Sequence, residues 1–314
     1  MKIRIGFSLT YECPNPTPMI LNLNVHFSRA GDMISADHLH ADPPVPLTGF
    51  RDNFGNWSTR LVAPRGLFTL SNDALILDSG APDPVVPYAR QTPVNELPDD
   101  TLMYLLGSRY CETDRLSEVA WQLFHHTPPG WARVQAICDH VHGHIRFDYA
   151  HARPTKSAWD AWHEKVGVCR DFAHLAITFC RCMNIPARYC TGYLGDMGTP
   201  PPYGPMDFAG WFEAWLDGHW YTFDARNNVP RIGRVLIARG RDATDVAISN
   251  TFGPNILKNF VVRTEAVADR ALSQARKSAP TAGMGRFRVT KGGFHAIHHR
   301  HSSACPVGAW PRHV

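Results

Sequence analysis

The chain has 314 residues, of which 44% are hydrophobic and 11% aromatic, and its net charge at pH 7 is +4. This composition indicates a globular protein of one large or two ordinary domains, and we assign no nucleic-acid partner. No run of about 18 apolar residues occurs, which excludes a transmembrane helix. Residues 1–7 alternate like a strand and lack the apolar region of a signal peptide, so we expect a cytoplasmic protein. Eight cysteines without metal-ligand spacing predict mostly reduced thiols.

The first part of the chain, residues 1–95, is predicted to be rich in β-strands. Proline and glycine break it into short apolar or alternating runs, as expected for strands joined by turns. The predicted strands are Ile3–Tyr11, Leu21–Phe27, Trp57–Leu61, Phe68–Leu70 and Ala74–Leu77. Such spacing is typical of an antiparallel sandwich, so we predict a sandwich-like N-terminal domain.

Helical periodicity begins after a connecting stretch at residues 97–111. Apolar residues three and four apart predict one helix around residues 116–123 and a second around 134–141. A strand-like run at 145–149 and a short helix at 157–163 lead into the next glycine turn.

That turn places Cys169 at the start of an amphipathic helix. Gly167 and Val168 precede the cysteine, and apolar residues recur behind it at helical spacing: Phe172, Leu175, Ala176, Phe179 and Met183. The positive end of a helix dipole favours a thiolate, so Cys169 is a candidate nucleophile. The alternative is a structural cysteine, because free cysteine is among the most buried residue types.

A proline break and a hairpin follow the helix. Pro186 ends the helical pattern, and residues 187–194 read as an apolar strand. Asp217-Gly218 then separates two aromatic-rich runs, 211–216 and 219–224. Asp-Gly between such runs is the strongest short-range signal of a β-hairpin.

Four motifs in this order resemble the transglutaminase-like superfamily, in particular its bacterial members described as candidate cysteine proteases. They are Gly-Val-Cys-Arg-Asp-Phe-Ala at 167–173, Ile-Pro-Ala-Arg-Tyr at 185–189, Trp-Phe-Glu at 211–213 and Phe223-Asp224. The resemblance covers roughly residues 100–260. It implies an α+β fold: a papain-like transglutaminase core at 96–269, preceded by the β-rich domain at 1–95.

The resemblance also implies a Cys-His-Asp triad, in which histidine carries the proton and the carboxylate orients the imidazole. Carried over, Cys169 is the nucleophile and Asp224 the orienting acid. The family histidine stands two residues before the tryptophan of the first hairpin strand, and that position is Ala209 here. The base that the pattern assigns is absent.

The hairpin register can be worked out from the residues alone. A two-residue turn at Asp217-Gly218 pairs Leu216 with His219, Trp211 with Asp224 and Ala209 with Arg226. Residue 209 and Asp224 are then diagonal neighbours within side-chain range. Arg226 lies two residues along the same face as Asp224, so a structural ion pair between them is the alternative to a triad role.

Other histidines are poor substitutes by geometry. His219 lies about 17 Å along the strand from Asp224 and on the other face. His174 diverges from Cys169 by about 140° around the helix. His163, His140, His142 and His144 lie upstream, and we interpret each as a surface histidine.

The last 45 residues differ in kind from the rest. Residues 270–314 contain eight Lys or Arg, five His and no Asp or Glu. The cluster of His295, His298, His299 and His301 allows a metal-site hypothesis. The segment lacks a periodic apolar pattern, so we predict a disordered basic, His-rich tail without an assigned function. Cys180 and Cys182 face different sides of the predicted helix, so no shared metal is predicted there.

Three hypotheses remain from the sequence. The first is a cysteine enzyme that acts on peptide or glutaminyl amide bonds through a Cys169 thioester, by acyl transfer or hydrolysis, with no cofactor and a peptide or protein as substrate. The second is a pseudoenzyme, a binding module that keeps the fold and has lost the base at Ala209. The third is a metal-binding protein built on the C-terminal histidines. The oligomeric state is left open.

Overall fold

Apolar residues at every second position build the first strand of the protein. In the computed structural model, which describes residues 1–201 and 206–267, this strand buries Ile3, Ile5, Phe7 and Leu9 on one face. The strands are β1 (Lys2–Cys13), β2 (Thr17–Leu21), β3 (His40–Asp42), β4 (Thr48–Arg51), β5 (Trp57–Ala63), β6 (Gly66–Leu77), β7 (Arg146–Phe147), β8 (Val166–Gly167), β9 (Ala187–Tyr193), β10 (Phe208–Leu216), β11 (His219–Phe223), β12 (Val235–Gly240), β13 (Ser249–Thr251) and β14 (Ile256–Val267). The α-helices are α1 (Asp99–Leu102), α2 (Thr113–Phe124), α3 (Trp131–His144), α4 (Ala158–Glu164) and α5 (Cys169–Cys182).

Two antiparallel sheets form the N-terminal part. One has the strand order β14-β1-β6-β3 and the other β13-β2-β5-β4. The predicted strands at Ile3–Tyr11 and Trp57–Leu61 are present, and the two predicted at 68–70 and 74–77 are one long strand, β6. The strand predicted at Leu21–Phe27 is wrong, because pairing ends at Leu21 and a 3-10 turn begins at Phe27.

The predicted boundary between the two parts of the chain does not separate their strands. Strands β13 and β14 fall within the range 96–269, yet they pair with β2 and β1 of the N-terminal sheets. The chain therefore leaves the N-terminal sheets, builds the helices and the third sheet, and returns to complete both sheets.

Helix α5 lies at the centre of the second part. Every residue from Asp171 to Cys182 is buried, since α5 packs against α2, α3 and α4 and against strands β9 and β10. The sheet beneath it has the order β11-β10-β9-β12. This mixture of helices with antiparallel sheets is the predicted α+β fold.

The hairpin of β10 and β11 turns at Asp217-Gly218, as predicted. Both residues have positive φ, 47° and 82°, which a tight primed turn requires. Leu216 pairs with His219 as expected, and the ladder ends at the pair Phe212–Phe223. The expected pairs of Trp211 with Asp224 and of Ala209 with Arg226 do not form, because the chain turns away from β10 at Asp224.

Within the part of the chain that the structure describes, no helix is both long and apolar enough to span a membrane.

Candidate active site

A short loop fixes the start of α5 and with it the position of Cys169. The Val168 amide N–H donates to the Asp171 carboxylate at 2.9 Å, so the buried acid caps the first turn of the helix. A Cβ at position 167 would lie 2.5 Å from this carboxylate, which is why glycine occupies that position. The Gly-Val-Cys-Arg-Asp sequence thus holds Cys169 at the helix N-terminus.

The Cys169 thiol is half-buried, and its surroundings oppose ionisation. Burial, followed by the negative charge of Asp207, raises the pKa of this thiol to about 12. The Gly210 amide N–H of β10 donates toward the sulfur and lowers the pKa in part, whereas Asp171 and Asp224 raise it further. Burial and three carboxylates thus oppose the thiolate that the N-terminus of the helix favours.

Two tyrosines flank the thiol. A Cβ at position 210 would lie 2.4 Å from the Tyr189 hydroxyl, so Gly210 lets this buried ring reach the strand. Tyr149 is more exposed, and burial, then the charges of Asp207 and Cys169, raise its pKa to about 12. Both tyrosines share electrostatic contact with Cys169.

Asp224 is buried directly after β11, and its carboxylate is fully engaged. Its Oδ1 accepts the amide N–H groups of Arg226 and Asn227 at 3.1 and 2.9 Å. Its Oδ2 accepts from the Asn227 side chain at 2.7 Å and from the Arg234 guanidinium at 2.8 Å. Burial would raise the pKa of Asp224, but Arg234 and these donors lower it below its usual value.

The ion pair predicted for Asp224 exists with a different arginine. Arg226 contributes only its backbone N–H, and its guanidinium lies 4.4 Å from the centre of the Phe147 ring. Arg234 takes its place and bridges Asp224 to Asp83, each at 2.8 Å. The structure thus supports an ion pair as the role of Asp224, but the partner is Arg234 and not Arg226, which the sequence predicted.

Position 209 holds no base. Ala209 pairs with Gly192 of β9, and its carbonyl accepts from the Thr191 hydroxyl at 3.1 Å. Gly210 of β10 and Asp224 both act on the Cys169 thiol, and no imidazole lies at position 209 between them.

The other candidate histidines are engaged elsewhere. His174 is buried, accepts the Ala243 amide N–H at 3.1 Å and stacks on Tyr110, and burial lowers its pKa to about 3. The remaining five contact backbone carbonyls or neighbouring aromatic rings: His140, His142, His144, His163 and His219. Among residues 1–201 and 206–267, none of them is a main contributor to the pKa shift of Cys169.

Comparison with known proteins decides the family. The family model of the transglutaminase-like superfamily matches residues 120–225, which contain Cys169, position 209 and Asp224. The crystal structure of a candidate cysteine protease from Cytophaga hutchinsonii superposes with a TM-score of 0.75 at 33% sequence identity, covering 86% of this chain and 91% of that one. The chain belongs to the transglutaminase-like superfamily.

Two mycobacterial proteins, both described as uncharacterised, are similar to this transglutaminase-like protein. One from Mycobacterium leprae is 40% identical over 95 residues, which is 29% of this chain and 33% of that protein. The match therefore spans about a third of the length of that relative. Another, from Mycobacterium tuberculosis, is 25% identical over 235 residues, 67% of this chain and 74% of that protein.

Sequence reasoning missed Asp207 as a site residue of this transglutaminase-like protein. Residues 207, 209 and 211 of an extended segment face the same side, so an acid two positions before the family histidine was a signal in the sequence. The structure makes Asp207 the strongest charged neighbour of the thiol. Burial raises the pKa of Asp207 to about 6, and the Phe208 amide N–H lowers it in part.

Among the residues that the structure describes, no group of three or more His, Cys, Asp or Glu side chains could hold a metal ion. The histidines at 295–301 and the predicted tail at 270–314 lie outside the described residues.

Proposed function

We propose that this protein is a cysteine enzyme that acts on peptide or glutaminyl amide bonds through a thioester on Cys169. The observation that carries the proposal is the placement of Cys169, a half-buried cysteine at the N-terminus of the buried helix α5 whose sulfur contacts a backbone N–H of β10. The likeness to the Cytophaga hutchinsonii candidate cysteine protease supports the same class of chemistry.

The proposed reaction has two halves. The Cys169 sulfur attacks the carbonyl carbon of the amide, its proton leaves, and the amine departs to give a thioester. Water or a second amine then attacks the thioester and releases the thiol. The Cys169 amide N–H, in the first turn of α5, lacks an intrahelical acceptor and is placed to stabilise the oxyanion of both steps.

Turnover assays with matched cysteine variants test this proposal. Glutaminyl peptides are incubated with a fluorescent primary amine, and ammonia release, amine incorporation and peptide cleavage are each measured. We expect at least one of these signals in the wild type, its loss in Cys169→Ala, and its retention in Cys182→Ser at the other end of the same helix. A signal that survives in Cys169→Ala, or none in the wild type, overturns the proposal.

A specific observation favours a second candidate, the binding module. Ala209 cannot accept a proton, and the raised thiol pKa leaves Cys169 protonated at neutral pH. Under this alternative a glutaminyl peptide binds the wild type and Cys169→Ala equally well and is not consumed. Calorimetric titration of both proteins with the same peptide distinguishes the two candidates.

We also propose that the protein acts in the cytoplasm on a peptide or protein substrate. Seven cysteines among the described residues are free thiols, the state that a reducing compartment maintains. Fractionation of cells that express the tagged full chain tests the compartment.

A further inference from the structure

We propose that Asp207 accepts and returns the Cys169 proton during acyl transfer, in place of an imidazole at position 209. The assignment rests on the proposed function and names the residue that completes it. It follows from where Asp207 lies on the strand, from its free carboxylate and from its electrostatic contact with the thiol.

Asp207 lies on the segment that brings β10 to the thiol. Asp207 directly precedes β10 and shares a face with position 209, about 7 Å along the extended chain. The Gly210 amide N–H that contacts the Cys169 sulfur lies three residues further on. A carboxylate on this segment therefore reaches the same thiol that an imidazole at 209 would reach, directly or through one water.

The Asp207 carboxylate differs in its partners from the other two carboxylates near the thiol. Within residues 1–201 and 206–267, neither a basic side chain nor a side-chain hydrogen-bond donor pairs with Asp207, whereas Asp171 caps α5 and Asp224 is bound by Arg234. Asp207 is also partly exposed, whereas Asp171 and Asp224 are buried. Of the three carboxylates around the thiol, that of Asp207 is the one that is partly exposed and has no arginine partner among the described residues.

The protonation of Asp207 and Cys169 depends on the charged and titratable groups around them. Cys169 faces Asp207 from α5, and Tyr149 faces both from the turn after β7. Asp171, Asp224, Tyr189 and the cations Arg170 and Arg226 lie in the surrounding shell. Because the pKa of Asp207 is about 6, its carboxyl is ionised at neutral pH and can act as a base.

The proton balance is complete without another group. As the S–C bond forms, the thiol proton moves to the Asp207 carboxylate, and the loss of that negative charge relieves its repulsion of the sulfur. The protonated Asp207 then gives this proton to the departing amine. In the second half it takes a proton from water or the acceptor amine and returns it to the sulfur as the thioester breaks.

Two readouts that move in opposite directions test the assignment. In Asp207→Asn we expect kcat at pH 7 to fall by about 10²- to 10⁴-fold, the usual contribution of a general base. The rise of kcat/KM through a pKa of about 6 should disappear. Alkylation of Cys169 by iodoacetamide at pH 7.5 should instead become faster, because removal of the negative charge lowers the thiol pKa.

Control variants separate the proton role from folding. Asp207→Glu keeps a carboxylate and should keep the pH-dependent limb, and Glu118→Gln, an exposed acid of α2, should change neither readout. Turnover that depends on Cys169 but is unchanged or faster in Asp207→Asn overturns this assignment alone. Absence of any Cys169-dependent turnover overturns the proposed function and this assignment with it. Unchanged alkylation in Asp207→Asn also overturns the assignment, since the two groups would then not interact.

Discussion

The Asp224 carboxylate and the Arg234 guanidinium form a buried ion pair, 2.8 Å apart, with only 4% and 8% of their side chains exposed. Asp224 follows the hairpin directly, whereas Arg234 leads into β12, and Asp83 binds the other side of the same guanidinium. A carboxylate held in this way ties the hairpin to the N-terminal part of the chain. With Ala209 in place of a histidine, it has no imidazole to orient.

This geometry predicts a stability cost for Asp224→Asn. Removal of one partner from a buried pair leaves the other charge uncompensated, and because Asp83 still contacts Arg234 we expect a loss of about 3 kcal/mol in the free energy of unfolding. Urea unfolding at pH 7 measures the loss. Asp73→Asn is the matched control, because its pair with Arg4 lies on the surface, with side chains 43% and 56% exposed. An Asp224→Asn variant as stable as this control would contradict a structural role.

Buried thiols predict a loss of stability in alkali. Burial raises the pKa of all seven described cysteines above the ordinary 9.0, well above it for Cys138 and Cys190. The unfolded chain loses these protons first, so the stability is fully present below pH 9 and declines as the pH rises toward the folded pKa values. At pH 10 each fully buried thiol should cost about 1.4 kcal/mol.

Urea unfolding at pH 7.5 and pH 10 tests this decline. Cys138→Ala should lower stability at pH 7.5 because it leaves a cavity, and should shrink the further loss at pH 10 by the contribution of one thiol. Tyr88→Phe serves as the control, since the Tyr88 side chain is 81% exposed and its loss should change neither value. A wild type equally stable at both pH values would contradict the prediction.

Asp207 should reduce stability at neutral pH. Its folded pKa of about 6 lies above the ordinary 3.8, so its favourable contribution is fully present below pH 3.8 and is lost as the pH rises through 6. We therefore expect Asp207→Asn to raise the free energy of unfolding at pH 7 by about 1–3 kcal/mol, a partly exposed group giving the lower values. The same substitution should slow turnover.

Chemical unfolding at pH 7 and pH 4.5 measures this effect. The stabilisation by Asp207→Asn should shrink at the lower pH, where the wild-type carboxyl is already protonated in the folded protein. Glu118→Gln on α2 should show no such pH-dependent difference. A destabilising effect of Asp207→Asn at pH 7 would mean that the carboxylate stabilises the fold through a partner, contrary to the prediction.

Local signals of the sequence predicted local structure. The Asp-Gly turn, the helix after Gly167 and the alternation of β1 each depend on residues a few positions apart, and each is present. What sequence reasoning missed is long-range. Strand β14 pairs with β1, although the two strands lie at opposite ends of the described chain. Arg234 binds Asp83, which is 151 residues away in sequence. The periodicity of the sequence predicts neither contact.

The same distinction applies to the site. Cys169 and Asp224 were identified from motifs, whereas the pKa of the thiol depends on groups that other segments bring close. The sequence predicted that Cys169 begins helix α5. The burial of Cys169 and the approach of Asp207 depend on the packing of β10 beside that helix, which the sequence did not predict. Arg226 was predicted to pair with Asp224 because it is near in sequence. The chain turns away from β10 after Phe223, and Arg234 forms the ion pair instead.

Restoration of the missing imidazole should create a stronger enzyme. Residue 209 shares a face with Asp207 and is partly exposed, so we expect a histidine there to fit and to reach the thiol and a carboxylate. An imidazolium next to sulfur lowers the thiol pKa, and an imidazole is the better base at neutral pH. We expect Ala209→His to raise Cys169-dependent turnover at pH 7 by about 10²-fold or more.

Ala209→Gln is the matched control for this substitution, because it adds a side chain of similar size that accepts no proton at this pH. Turnover and iodoacetamide labelling of both variants should be measured at pH 7, each with and without Cys169→Ala. The histidine variant should exceed the wild type in both readouts, and the glutamine variant should not. Equal rates in the two variants would mean that position 209 does not reach the thiol, and the family alignment of β10 with the catalytic histidine strand would then be wrong.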